Sequence, residues 1–322
     1  MRPIPRTSVR VPVVGYSVRE QANSQAVSTG SAAAHELIDI RLNEHLENSP
    51  DTRHADSRRE NTIAQPQPFA NNTTIIARLG ISPALANRDE LMTRVFNREA
   101  LLATWEHHEQ QLSSAGAVLL VVEGLAALYN NDLDNEVYFS ACIDQCLTTL
   151  SELKSEGRIA GYGLVADHAE YCQRALTHGP WDAFVLNHRY TLLEQWPLYN
   201  LLPMCVESDT SIIVGHPFNT GVLRGKESWN FQQPPDFVTA RLENIRHICR
   251  LHEVPVEAAA LQFPLGHPSV ASVLVNKAKR DQATIRRWLQ HPINESFWDD
   301  LKLGGVMHEE APVAVSMAAR QH

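Results

Sequence analysis

The chain has 322 residues, 20% of them charged and 43% hydrophobic, and a formal net charge of -9. This is the composition of an ordinary soluble globular protein. It holds no long basic block, which excludes nucleic acid as a natural partner, and no run of 18 apolar residues, which excludes a membrane span. The five cysteines (Cys142, Cys146, Cys172, Cys205 and Cys249) are odd in number and lack CxxC spacing. Neither a disulfide framework nor a metal site is expected from them. Without an apolar signal core near the N-terminus, the expected location is cytoplasmic.

In chain order, residues 9–16 read as a strand and 32–46 as a helix. Residues 50–52 read as the stub of a second strand, with a helix after Asp56. Residues 17–30 and 65–72 are polar and aperiodic, as in loops. Residues 73–79 (TTIIARL) form a β-branched run, and 98–112 have helical spacing. Residues 117–122 (AVLLVV) are continuously apolar, as in a strand buried on both faces. A helix over 137–155 stops at Gly157. Strand 159–165 and helix 168–178 follow, the latter stopped by Gly179. The alternation continues with strands at 183–186, 211–214 and 270–275. Helices fall between and after them at 197–208, 235–252, 256–263 and 280–289. Eight strands alternating with helices predict an α/β fold, a (β/α)8 TIM barrel, in one domain over 1–307 with an irregular N-terminal third. Residues 308–322 read as a disordered tail.

Several blocks in the second half carry a family resemblance. They are 189–193 (RYTLL), 215–223 (GHPFNTGVL), 258–264 (AAALQFP), His267-Pro268, 270–273, and 291–293 (HPI) with Trp298 and Leu301. Together they resemble the aldo-keto reductases, in the branch of D-threo-aldose 1-dehydrogenases, L-fucose dehydrogenases and pyridoxal 4-dehydrogenases. The resemblance implies a barrel that uses NADP or NAD and no metal. It also implies a catalytic tetrad of Asp, Tyr, Lys and His at the strand ends. The Tyr is the proton donor. A phenol is a poor acid at neutral pH, so a neighbouring ammonium and carboxylate must tune it.

The family's strand-two motif aligns with Asp51-Thr52, which makes Asp51 the tetrad Asp and puts Asp56 where the Tyr belongs. No tyrosine lies between Tyr16 and Tyr129. Arg78 falls at the Lys position. It keeps the charge but is effectively never deprotonated. Glu123 or Val122, at the end of the 117–122 run, falls at the His position, and Glu123 is the candidate acid. For the cofactor, Asn187 and Gln262 are expected at a nicotinamide amide and Phe218 at the ring. Asn219, Gly221 and Leu223 line the same loop. Lys277, Lys279 and Arg280 form a basic cluster ahead of a helix, suited to a phosphate. Three of four tetrad members are thus replaced. The sequence implies a barrel impaired for carbonyl reduction that acts as a binding or accessory protein. The alternative is an active NAD(P)-dependent oxidoreductase on an aldose or pyridoxal-like compound, with a substituted acid–base group. A small-molecule ligand is expected in either case, and no protein partner is identifiable.

Overall fold

Glu36–Leu42 pairs residue for residue with Thr73–Leu79 as parallel strands, and this pair anchors a closed barrel of eight strands. The computed structural model describes residues 1–17, 35–42, 69–80, 97–124, 133–276 and 282–313. The strands are β1 (Arg2–Pro3), β2 (Arg10–Val11), β3 (Val14–Ser17), β4 (Glu36–Leu42), β5 (Thr73–Leu79), β6 (Ala117–Val122), β7 (Gly161–Ala166), β8 (Ala183–Asn187), β9 (Ser211–Gly215) and β10 (Val270–Asn276). The barrel runs β3 to β10 in chain order, and β10 closes on β3. The described helices are α1 (Arg98–Leu112), α2 (Leu133–Ser155), α3 (Ala169–His178), α4 (Leu201–Glu207), α5 (Asp236–Leu251), α6 (Val256–Gln262), α7 (Gln282–Gln290) and α8 (Glu295–Leu303). None is long and apolar enough to cross a membrane.

Alternation along each strand sorts the side chains into two cores. Leu37, Ile76, Leu119, Val121, Val165, Val185, Ile213 and Leu274 fill the barrel interior. Residues of opposite parity, such as Ile38, Ile75, Leu120, Leu164, Phe184 and Ile212, face outward and pack with the helices. The hairpin β1–β2 joins the interior cluster through Ile4, Val9 and Val11. Its Arg2 is anchored to the Leu265 and Val270 carbonyls at 2.6 and 2.5 Å. The hairpin thus caps the bottom of the barrel.

The expected strand over 9–16 is split into β2 and β3, the first in the cap and the second in the barrel. The expected helix over 32–46 is instead β4, so the second barrel strand is Glu36–Leu42 and not 50–52. The run ELIDIRL alternates, with Leu37 and Asp39 facing in while Ile38 and Leu42 join the outer core. A short apolar run of this kind also has helical spacing, and the β-branched Ile pair decides for strand. The expected tail from His308 is corrected in part. Ala311 is buried, and the His308 N–H donates to Gln195 Oε1 at 2.7 Å. Packing therefore runs past 307, while 314–322 lie outside the described residues, as do 18–30 and 65–68 of the two expected loops.

At the bottom, buried Asp182 accepts from Lys154 Nζ at 2.8 and 2.9 Å and from the Tyr162 N–H at 2.9 Å. It ties α2 to the start of β7 and β8. Asp182→Asn keeps the shape and removes the charge. It is expected to cost about 2 kcal/mol, the worth of hydrogen bonds to a charged group. The check is a urea midpoint lowered at constant slope; an unchanged midpoint would mean that Asp182 does not tie these elements.

Candidate functional site at the barrel mouth

Active sites of such barrels lie where the strands end, because the βα loops converge there. Continuing the inward parity of each strand places Ser17, Asp39, Arg78, Glu123, Asp167, Asn187 and Gly215 around this mouth. Arg78 is only 8% exposed. Its Nε and Nη2 donate to both oxygens of Asp39 at 2.6 and 2.7 Å, a two-pronged guanidinium–carboxylate pair. Ser17 Oγ donates to Asp39 Oδ2 at 2.6 Å. Glu123 Oε1 lies 3.5 Å from Arg78 Nη1. Burial by itself would lower the Arg78 pKa. The charge and hydrogen bonds of Asp39, then the charges of Glu123 and Asp167, outweigh it and push the pKa up. This cation is locked in its protonated form.

Asp39 is a residue that the sequence reading missed. With β4 in the barrel, Asp39 is the inward-facing carboxylate of the second barrel strand, and it is the group that grips Arg78. Asp51 and Asp56 lie outside the described residues, as do Lys277, Lys279 and Arg280.

On the other side of the mouth, Asn187 Nδ2 donates to Asp167 Oδ1 at 3.1 Å. Asn187 Oδ1 is buried with no partner among the described residues. A Cβ on Gly215 would stand 2.2 Å from that oxygen, so only glycine leaves room for it. The loops beyond β8 and β9 are strained. Seven of the nine described non-glycine residues with positive φ lie there: His188, Tyr190, His216, Asn219, Thr220, Asn230 and Phe231. The imidazoles of His188 and His216 stack at 4.4 Å, and Phe231 meets His188 edge-on. Burial, helped by the charge of Arg189, lowers the His188 pKa to about 4.

A polar network holds these loops. Buried Asn219 donates to the His188 carbonyl at 2.9 Å and to Glu194 Oε1 at 3.1 Å, and accepts from Thr191 Oγ1 at 2.6 Å. Asn230 Nδ2 donates to Glu194 Oε1 at 2.7 Å. Arg189 pairs with Glu194 and donates to the Asp167 carbonyl at 2.8 Å. The Asn219 side chain is therefore held by the protein. Leu223 is likewise core. Gln262 Nε2 donates to the Trp288 and His291 carbonyls at 2.8 and 2.9 Å, which fastens α6 to α7. Phe218 is half-buried beneath the Arg224 guanidinium and edge-on to Trp288. Gly221 sits at φ 108° in the same loop, a conformation that favours glycine. Among the described residues no group of three or more His, Cys, Asp or Glu is placed to hold a metal ion.

Residues 109–302 match the aldo/keto reductase family. The chain belongs to that family. Among relatives of this aldo/keto reductase, the pyridoxal 4-dehydrogenase of Microbacterium luteolum is 26% identical over 219 residues, 66% of this chain and 64% of the relative. The D-threo-aldose 1-dehydrogenase of a Pseudomonas species is 31% identical over 188 residues, 56% of this chain and 57% of the relative. The match thus spans about three fifths of these relatives. Both belong to the branch expected from the sequence blocks. Among solved structures, a thermostable aldo-keto reductase superposes with a TM-score of 0.57 at 14% identity, covering 95% of this chain and 99% of the other. An aldo/keto reductase from Brucella melitensis gives 0.53 at 14% identity, covering 91% and 95%. These structures establish the shared barrel.

Proposed function

We propose that this aldo/keto reductase is a small-molecule-binding barrel that does not reduce carbonyls by phenol-to-oxygen proton transfer. The observation that carries the reading is the two-pronged Asp39–Arg78 pair. Hydride delivered to a carbonyl leaves an alkoxide, which needs a proton donor. A guanidinium whose pKa is raised further by three carboxylates does not supply that proton at neutral pH. Nor does it tune a neighbouring acid as a lysine does, because its charge is already compensated by Asp39.

The family generally uses NAD(P)H, whose nicotinamide supplies a hydride when bound. The expected phosphate contacts Lys277, Lys279 and Arg280 lie outside the described residues. Of the expected contacts among the described residues, the Asn219, Leu223 and Gln262 side chains are held by the fold, and Asn187 keeps an open acceptor. We derive no step through the nicotinamide. A fluorescence and thermal-shift titration with NADPH and NADH tests this, using the six tryptophans. Binding is expected to be weaker than roughly 100 μM, a free energy weaker than about -5.5 kcal/mol. Low-micromolar binding with melting raised in proportion would overturn the reading.

A second reading is favoured by one observation: Glu123 is buried at a strand end, 3.5 Å from Arg78. In this reading the chain is an oxidoreductase on an aldose or pyridoxal-like compound, with Glu123 moving the proton. It requires that Glu123→Gln reduce turnover by about a hundredfold or more without unfolding the protein.

A further inference from the structure

We infer that the outer face of α4, with the 3-10 turn Trp196–Leu198 that leads into it, is an interface for a second copy of this chain, paired helix to helix across a two-fold axis. The inference is independent of the reading of the barrel mouth.

Two observations point to an interface. The first is an exposed apolar stripe. Trp196 is 75% exposed, Tyr199 53% and Val206 49%, and Pro203 between them is exposed as well. Pro197, Leu201, Leu202 and Cys205 on the opposite face are buried against the protein. The segment is thus apolar on both faces, and its own fold covers only one of them. Trp196 meets Tyr199 edge-on at 5.4 Å, and Tyr199 meets His308 at 4.9 Å. Single exposed apolar residues are ordinary; a contiguous stripe led by two aromatic rings marks a contact surface. The second observation is charge. Residues 195–206 (QWPLYNLLPMCV) hold no charged side chain, in a chain that is 20% charged. Exposed Trp and Tyr in a charge-free segment have the composition of an interface core. Glu194, just before it, is turned to Arg189 and Asn230. Glu207, just after it, is exposed.

The spacing names the occupant. Trp196, Tyr199, Pro203 and Val206 follow one another in steps of three, four and three residues. These are the a and d positions of a two-helix seam, so the surface fits another helix. The stripe is also its own complement, as a two-fold interface requires. In an antiparallel pair, Trp196 of one copy lies against Val206 of the other and Tyr199 against Pro203, a large side chain facing a small one at each level. The two Glu207 carboxylates then fall at opposite ends of the seam, about 18 Å apart at 1.5 Å per residue. That exceeds the roughly 8 Å over which exposed charges act in physiological salt. The four side chains offer on the order of 400 Å² per copy, from the size of exposed Trp and Tyr rings. Two facing stripes and their rims reach about 1,000–1,200 Å², the lower end for a specific interface. The pair is therefore a weak one, with a Kd of about 10 μM.

Sedimentation velocity of the full chain in physiological salt, from about 1 to 200 μM, tests this. A monomer at the low end and a dimer at the high end are expected. Trp196→Glu and Val206→Lys are each expected to weaken the dimer at least about tenfold. Both side chains are exposed, so the melting temperature of the monomer is expected to stay where it is. Mixed in equal amounts, the two variants are expected to recover a one-to-one dimer, because the antiparallel seam sets the new carboxylate of one copy opposite the new ammonium of the other. A chain that stays monomeric to 200 μM would overturn the inference. So would a dimer indifferent to both substitutions, which would lie on another face, or two weakened variants that gain nothing on mixing. A monomer whose melting temperature falls in both variants would overturn it too, since the stripe would then be covered by the chain itself.

Discussion

Arg78→Ala is expected to lower folding stability by about 3–5 kcal/mol, the range for removing one partner of a buried charge cluster. The substitution leaves Asp39, Glu123 and Asp167 facing each other without the guanidinium that lies among them. Asp39 also loses both of its two-pronged bonds and keeps the one from Ser17. Removing the opposing charge should recover part of the loss. The double substitution Arg78→Ala with Asp39→Asn is expected to be more stable than Arg78→Ala alone, by about 1–2 kcal/mol of coupling. Urea denaturation reads both values. A single-variant loss under about 0.5 kcal/mol, the size of an ordinary surface change, or no recovery in the double variant, would mean that the pair is not locked as described.

The second large effect is acid sensitivity. His188 and His267 are both buried, and burial lowers each pKa from 6.5 to about 4. His267 Nδ1 also accepts the Ser269 N–H at 3.2 Å, a bond open only to the unprotonated nitrogen. A histidine with a lowered folded pKa binds fewer protons folded than unfolded between the two values, so stability rises with pH across that window. Its contribution is complete above about 6.5, declines as pH falls toward 4, and is lost below that. Each ring is worth about 3 kcal/mol over the window, from about 1.4 kcal/mol per pH unit. His267→Gln is expected to flatten the stability profile between about pH 6.5 and 4.5, and His188→Gln to flatten it again. If both variants keep the wild-type slope, other groups carry the acid dependence.

Much of the barrel is legible in the sequence because its strands are buried on both faces. The unbroken run of Ala117–Val122 has no helical alternative of that length between turn residues, and Arg98–Leu112 is helical as the spacing predicts. The error at β4 has a physical origin. In ELIDIRL the apolar residues suit either period, and a strand with a single inward acid looks like an amphipathic turn of helix. A second strand at 50–52 displaces the carboxylate, and Asp39 is then overlooked. Strict alternation from Ile38 to Leu42 is the signal that finds it.

The loop residues fail for a different reason. Asn219 and Gln262 read as reaching outward to a ligand, yet amide side chains near strand and helix ends commonly satisfy local backbone groups. Both do so here. No spacing rule separates the two roles before the loops are folded. Arg78 and Glu123 stand at the mouth as their strand-end positions imply, but their partner is not visible without the register of β4 on β5.

The most direct test of the central claim is steady-state reduction of pyridoxal and a panel of aldoses by the purified chain, with NADPH and with NADH. The predicted result is turnover at least about a hundredfold below the ~10 s⁻¹ typical of enzymes, the deficit expected without a positioned general acid. Turnover near that ordinary value would contradict the account, and would mean that a group other than the locked Arg78 delivers the proton.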